Sequence, residues 1–279
     1  MYPFSIGVIL DSFRLPIPEA VKKAHEVGAQ GLQVYATGGE MAPENMTPEK
    51  QKAFLQLCRD NDLVISALCG DLGKGFTDPA LNPSLIERSK RIVDLAKELG
   101  TDIVTTHIGT VPEDSNCDTY KIMQAACHEL AEYADSVDAH FAVETGPEPA
   151  VRLKGFLDTL HSTGVSVNLD PANLTMCVQD DAVQAVYTLR DYIVHTHAKD
   201  GISLAGDRSA LNSEAAIRAA AGERWLELPL GQGGVDWPNY LKALNDIGYK
   251  GFLTIEREVG EKPEADIRLA ADFLRAHIR

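Results

Sequence analysis

VSVNLDPANLTMCVQDDAVQAVYTLRDYIVHTHAKDG, residues 165–201, contains one complete repeat of the pattern that decides the fold. Val165–Asp170 is a short run of β-branched and apolar residues that stops at Asp-Pro. Ala182–Leu189 carries its apolar residues at helical spacing, and Tyr192–His197 is a second β-rich run. Two short strands joined through a helix are parallel neighbours, because a parallel return needs a long crossover. Neither strand alternates cleanly between polar and apolar, as expected when both faces of a sheet are covered.

The same alternation extends in both directions. Strands are predicted at Ser5–Ile9, Gly31–Ala36, Val64–Cys69, Asp102–His107, His140–Thr145, Val165–Asp170, Tyr192–His197 and Gly251–Glu256. Helices are predicted at Pro18–Val27, Pro48–Asn61, Pro83–Leu99, Thr119–Val137, Pro149–Ser162, Ala182–Leu189, Trp237–Ile247 and Pro263–Ile278. Pro18, Pro48, Pro83, Pro149, Pro238 and Pro263 fall at or near first helical turns, where the missing N–H costs nothing. Gly28, Gly100, Gly164 and Gly248 follow last turns, where a left-handed residue is wanted. Eight β-then-α units with no change of composition predict a single-domain (β/α)8 TIM barrel over residues 1–279. An open doubly wound sheet is the alternative. The count of eight and the lack of a Gly-rich phosphate loop after the first strand favour the barrel.

Residues 201–231 break the rhythm. They are predicted to form a long loop over the C-terminal mouth, with a short helix at Ser213–Ala221, acting as a partial lid. A solvated excursion is the competing reading.

Composition narrows the function classes. With 26 Lys and Arg against 41 Asp and Glu, the net charge of −15 repels nucleic acid and anionic membranes. No stretch approaches the apolar length of a bilayer span, and MYPFSIGVILDSF lacks the basic flank and cleavage site of a signal peptide. Cys58, Cys69, Cys117, Cys127 and Cys177 are odd in number and form no C-x-x-C pair, which predicts a reducing, cytoplasmic setting.

Barrel chemistry gathers at the C-terminal ends of the strands. There the predicted fifth strand ends at Glu144 and the sixth at Asp170; the seventh carries His195 and His197, and the eighth Glu256 and Glu258. Any one strand-end carboxylate has a bland explanation as the point where the chain meets water. Four consecutive ends of this kind do not, since three carboxylates in one pocket repel unless a proton or cation intervenes. Three oxygens and one imidazole suit Mn²⁺, Mg²⁺, Co²⁺ or Zn²⁺.

These segments resemble a known family. V-E-T-G (143–146), L-D-P-A-N (169–173), H-A-K-D (197–200), T-I-E-R-E (254–258) and L-P-L-G-Q-G-G-V-D-W (228–237) are similar to the sugar phosphate isomerase/epimerase family of xylose isomerase-like barrels. The resemblance spans nearly the whole chain and is strongest from Val143 to Gly260. It implies one divalent metal, Mn²⁺ foremost, on Glu144, Asp170, His197 and Glu256. It also implies that Glu144 and Glu256 act as acid and base. His197 is preferred to His195 because it directly precedes Ala-Lys-Asp. His195 is then either a hydrogen-bond donor behind the metal site or a packed interior histidine. His107, Asn173, Lys199 and Glu258 are further candidates for contact with substrate. Asn173 stands where many relatives have histidine. Arg257 alternates to the opposite strand face and reads as a structural ion pair, and packing is the first reading of Trp225 and Trp237.

The reaction implied is isomerisation or epimerisation of a sugar, keto-sugar or sugar phosphate through an enediolate. The alternative is a dehydratase acting on an inosose or dehydroshikimate type of substrate. A DNA-repair endonuclease of related fold is remote, given the acidic charge and too few histidines. A non-catalytic ligand-binding barrel is the reading from a different class. A small sugar or polyol is the expected partner, with no nucleic acid or membrane; a homo-oligomer is implied by the resemblance alone.

Overall fold

A computed structural model describes residues 1–205 and 213–279. The barrel strands are β1 (Ser5–Ile9), β2 (Gly31–Tyr35), β3 (Val64–Cys69), β4 (Ile103–Thr106), β5 (His140–Glu144), β6 (Val165–Leu169), β7 (Ile193–Ala198) and, after a hairpin of β8 (Asp200–Ser203) and β9 (Trp225–Leu228), β10 (Phe252–Ile255). Among the described residues these eight parallel strands close in the order β1-β10-β7-β6-β5-β4-β3-β2. The (β/α)8 barrel read from the sequence is therefore present.

The helices are α1 (Ile17–Glu26), α2 (Pro48–Asp60), α3 (Asn82–Glu98), α4 (Asp118–Ser136), α5 (Ala150–Asp158), a single turn α6 (Pro171–Asn173), α7 (Ala182–Leu189), α8 (Ser213–Ala220) in the connection after β7, α9 (Trp237–Asp246) and α10 (Pro263–Ile278). Each helix buries one stripe. In α9, Trp237, Tyr240, Leu241 and Leu244 fall at the i, i+3, i+4, i+7 spacing and are all buried. Helix starts carry their own stops for the chain: Pro48 follows a Thr47 whose hydroxyl accepts from Lys50 N–H, and Asp181 accepts from the N–H groups of Val183 and Gln184.

Glycine behaves as predicted at Gly28, Gly100 and Gly248, whose φ angles are 77°, 84° and 81°. Gly164 departs from the expectation. The helix before it ends at Asp158, the left-handed residue is His161 (φ 52°), and a Cβ on Gly164 would lie 2.3 Å from the Ala131 carbonyl oxygen. Gly164 is required by close backbone approach.

The barrel interior is not uniformly apolar. Gln33 on β2, Thr105 on β4, Asn168 on β6, His195 and His197 on β7 and Thr254 on β10 form a polar layer of which no member is more than 1% exposed. With so little exposure these groups turn to one another for partners, although Asn168 Oδ1 is left without one.

The described part of the long connection after β7 carries regular structure. β8 and β9 pair antiparallel, Asp200 opposite Leu228 through Ser203 opposite Trp225, and α8 lies between them in sequence. Asp200 pins its base. One carboxylate oxygen accepts from the N–H groups of Gly201 (2.9 Å) and Val235 (3.2 Å), the other from Gly231 N–H (2.9 Å) and Trp237 Nε1 (3.0 Å). The middle of the loop predicted at 201–231 lies outside the described residues.

Candidate metal centre

Glu144 is the last residue of β5, Asp170 follows β6, His197 lies near the end of β7 and Glu256 follows β10. Parallel register brings these ends level: Glu144 pairs with Asn168, and His197 with Thr254. One ligand atom from each of the four residues lies within 4.8 Å of all the others, and all four side chains are buried. The convergence read from the strand ends is thus a geometric fact. His107 and Glu258 lie outside it.

His197 is at the centre. Its Nδ1 is 3.1 Å from Glu256 Oε2, 3.5 Å from Glu144 Oε2 and 3.7 Å from Asp170 Oδ2. Its Nε2 faces Gln33 Oε1 at 3.1 Å and Asn168 Nδ2 at 3.1 Å, and of these two only the glutamine oxygen can accept a proton. That glutamine oxygen accepts Nε2–H, which keeps the Nδ1 lone pair for the cluster. His195 Nε2 reaches the same oxygen at 3.0 Å and Thr254 Oγ1 at 2.9 Å, while Gln33 Nε2 donates to Thr105 Oγ1 at 3.1 Å. Of the two roles open to His195, the geometry combines them: it is an interior histidine whose partner also orients His197. Burial, with His197 alongside, pushes its pKa down to about 3, so it is neutral.

The carboxylates are held from behind. Asn173 Nδ2 donates to Glu144 Oε1 at 2.8 Å and Asn168 Nδ2 to Glu144 Oε2 at 3.3 Å. Asp170 Oδ1 accepts the Asn173 N–H at 2.9 Å as the cap of α6. Lys199 Nζ is 3.1 Å from Glu256 Oε2, off the hydrogen-bonding direction, and 2.5 Å from Glu258 Oε2.

Three buried atoms that face the cluster, Asp170 Oδ2, His197 Nδ1 and Glu256 Oε2, lack a hydrogen-bond partner. Orphaned buried polar atoms are costly and uncommon. At about 4 Å, two like charges repel by roughly 4 kcal/mol at an effective dielectric of about 20. Without a cation the cluster compensates with protons. Burial alone would strip His197 of its proton, but Glu144 and Glu256 override it and hold the imidazole charged. Burial raises Asp170, while Lys199 and His197 overcome the same burial effect to keep Glu256 ionised. Three oxygens, one imidazole nitrogen and orphaned lone pairs fit a divalent ion in place of that proton.

The cluster lies at the floor of a cavity of about 780 Å³ at the barrel mouth, bounded by described residues. His107 lines it, with Nδ1 3.1 Å from Asp71 Oδ2 and Nε2 3.7 Å from Glu144 Oε1. Burial opposes its protonation, but the Asp71 hydrogen bond and Glu144 prevail and lift its pKa to about 9. Lys199, Asn173 and Glu258 line the cavity; His195 does not, being buried beneath His197. Arg257 binds Glu227 (2.6 Å) and Asp266 (2.9 Å), the structural role expected of it. Trp237 is packed as expected. Trp225 is 49% exposed on the cavity wall, contrary to its first reading, because β9 turns it outward at the mouth.

Sequence reasoning missed Gln33, Asn168 and Asp71. Gln33 interrupts an otherwise apolar strand and Asn168 lies between Val167 and Leu169, and those polar positions in buried strands were the available signal. Asp71, two residues past the end of β3, carried a weaker form of the strand-end signal that marked Asp170.

A parallel barrel with a buried carboxylate–histidine cluster at its C-terminal mouth defines a class of barrel proteins whose chemistry is built on strand ends. A family model described as xylose isomerase-like TIM barrel matches residues 21–277, so the chain belongs to that family. Among solved structures, a xylose isomerase domain protein from Planctomyces limnophilus superposes with a TM-score of 0.78 at 24% identity, covering 99% of this chain and 96% of that one. A probable 3-DHS dehydratase involved in petrobactin synthesis from Bacillus anthracis gives 0.75 at 18% identity, covering 98% and 99%. A 3-keto-D-glucoside 4-epimerase from E. coli gives 0.72 at 16% identity, covering 98% and 99%. At these identities the likeness is one of fold. No helix among the described residues is long and apolar enough to cross a membrane.

Proposed function

We propose that this chain is a divalent-metal-dependent isomerase or epimerase of a sugar or keto-sugar, with Glu144, Asp170, His197 and Glu256 as metal ligands. The observation that carries this reading is the convergence of four buried donors with three orphaned atoms facing one point at the floor of the cavity. The bound ion would supply Lewis acidity, polarising neighbouring carbonyl and hydroxyl oxygens and stabilising enediolate charge.

The chain's own residues supply the proton traffic. A proton beside a carbonyl is weakly acidic, so a positioned carboxylate must take it in the transition state. Glu144 and Glu256 are the two candidates for acid and base. Asn168 and Asn173 fix the Glu144 carboxylate in orientation, and the Lys199 ammonium, 3.1 Å from Glu256 Oε2, favours its charged form. Return of the proton to the opposite face of the same carbon gives an epimer; return to the neighbouring carbon gives an aldose–ketose isomer. His107, steadied by Asp71, offers Nε2 to a substrate hydroxyl. The hairpin and α8 act as the partial lid, contributing Leu226, Leu228 and Arg218 to the cavity wall and helping to exclude water.

The test is deuterium exchange. Metal-loaded protein in D₂O with a panel of ketoses and keto-glycosides is expected to place deuterium beside the carbonyl of at least one compound. Absence of exchange across the panel, with metal bound, would remove the reading. Loss of water from the product, seen as a mass change, would instead assign the dehydratase chemistry.

A further inference from the structure

We infer that the cavity selects a neutral polyhydroxylated substrate and discriminates against phosphorylated and carboxylated ones. The inference rests on the reading of the site as a sugar or polyol site and narrows its substrate class.

Away from the metal, whose open positions serve the carbonyl and hydroxyl oxygens, recognition of a phosphate or carboxylate needs either a cationic side chain with spare capacity or a set of backbone N–H groups aimed at the ligand. Among the described residues, each cation on the cavity wall already faces a carboxylate. Lys199 lies between Glu256 and Glu258. Arg257 lies between Glu227 and Asp266, and Arg218 is 3.2 Å from Glu223. His107 is matched by Asp71 at 3.1 Å. To bind an anion, the site would have to break one of these pairs and leave its carboxylate beside the incoming charge.

The backbone donors are also committed. Many barrels of this architecture bind phosphate in the loops after the seventh and eighth strands. Here the turn in that region directs the N–H groups of Gly201, Gly231 and Val235 at the carboxylate of Asp200, with Trp237 Nε1 completing the set. Asp200 is 1% exposed, and a Cβ on Gly233 would fall 2.1 Å from its Oδ1. The chain has therefore built its own anion into this nest, packed too closely for exchange with a ligand.

The remaining wall suits neutral rings. Tyr35 and Trp225 line the cavity and are 37% and 49% exposed. Aromatic faces with a polar tip meet the C–H faces of a sugar without calling for charge. The long-range field acts in the same direction, since 41 acidic against 26 basic residues repel an anion before it arrives.

The test pairs each ketose of a panel with its phosphate ester and its carboxylated analogue, on metal-loaded protein. Calorimetric binding and deuterium exchange are both read. The expected result is binding and exchange for a neutral compound, with its charged counterpart at least about tenfold weaker, a gap of about 1.4 kcal/mol. A phosphate ester bound as tightly as its neutral parent, or tighter, overturns the inference and leaves the proposed chemistry standing if that ester exchanges. Silence of both series, in binding as in exchange, overturns the proposed chemistry and this inference with it.

Discussion

Replacing Gln33 by leucine removes one side chain and disturbs three partners. Gln33 Oε1 accepts from His195 Nε2 at 3.0 Å and His197 Nε2 at 3.1 Å, and its amide donates to Thr105 Oγ1 at 3.1 Å. All are at most 1% exposed, so no water replaces the lost acceptor. His195 keeps Thr254 and Thr105 keeps the Leu68 carbonyl, while His197 Nε2 keeps only the Asn168 amide nitrogen at 3.1 Å, a donor that cannot accept its proton. An unsatisfied buried donor costs about 1–3 kcal/mol. Loss of an outer hydrogen bond to a ligating histidine typically lowers metal affinity about 10–100-fold. Gln33→Leu is therefore expected to lose about 1–3 kcal/mol of stability in the metal-free state and about 1.4–2.7 kcal/mol of metal binding. Thermal unfolding reads the first and calorimetric titration with Mn²⁺ the second. Thr105→Val is the control: it breaks the amide end of the same network and should leave metal affinity within about threefold. Wild-type metal affinity in Gln33→Leu would refute the claim that Gln33 sets the His197 tautomer.

Three further outcomes follow from the same geometry. Glu144→Gln and Glu256→Gln should each lower deuterium exchange by about 10²–10⁴-fold while circular dichroism stays unchanged; a near-wild-type rate in either removes that residue from proton transfer. Glu148, whose Oε2 accepts from Val111 N–H and whose Oε1 is orphaned, is pushed by burial from 4.5 up to about 7. Its folded pKa lies above the unfolded one, so its contribution to stability is full below about pH 4.5 and is lost as pH rises through about 7. Denaturant unfolding of Glu148→Gln should accordingly show a gain over wild type at pH 8 relative to pH 5, of the order of 3 kcal/mol, and equal differences at the two pH values would contradict the assignment. Arg257→Ala leaves Glu227 buried without its cation and should cost about 3–5 kcal/mol in thermal unfolding; a loss below about 1 kcal/mol would mean that the pair does not anchor β9 to the barrel.

The strand ends were legible because two signals coincide at them. Val165–Asp170 and Gly251–Glu256 are apolar enough to be read as buried strands, and each stops at an ionisable residue that a parallel barrel must present at its mouth. The helices were legible through Pro48, Pro83 and Pro263 near their starts. The reason for Gly164 was hidden, because close approach to Ala131 is a tertiary fact and a helix-ending glycine looks the same in one dimension. The hairpin was missed for a related reason: DGIS and WLEL are four residues each, and what makes them strands is the Asp200 staple, which draws on Gly231, Val235 and Trp237 far along the chain. Gln33 escaped notice because its role depends on two histidines more than a hundred and sixty residues away. Local patterning reveals which residues reach the mouth; which of them share a proton or a partner is settled only by the closed sheet.

Metal content per chain is the most direct test of the centre. Protein exposed to a mixture of divalent ions, stripped of loosely bound metal and measured by elemental analysis should hold about one ion per chain, and Asp170→Asn, which keeps the shape but removes the charge, should hold far less. Saturation at about a hundred times the dissociation constant should also raise stability by about 2.7 kcal/mol. Folded wild-type protein that retains no divalent ion, or Asp170→Asn that retains as much as wild type, would contradict a metal centre at these four residues.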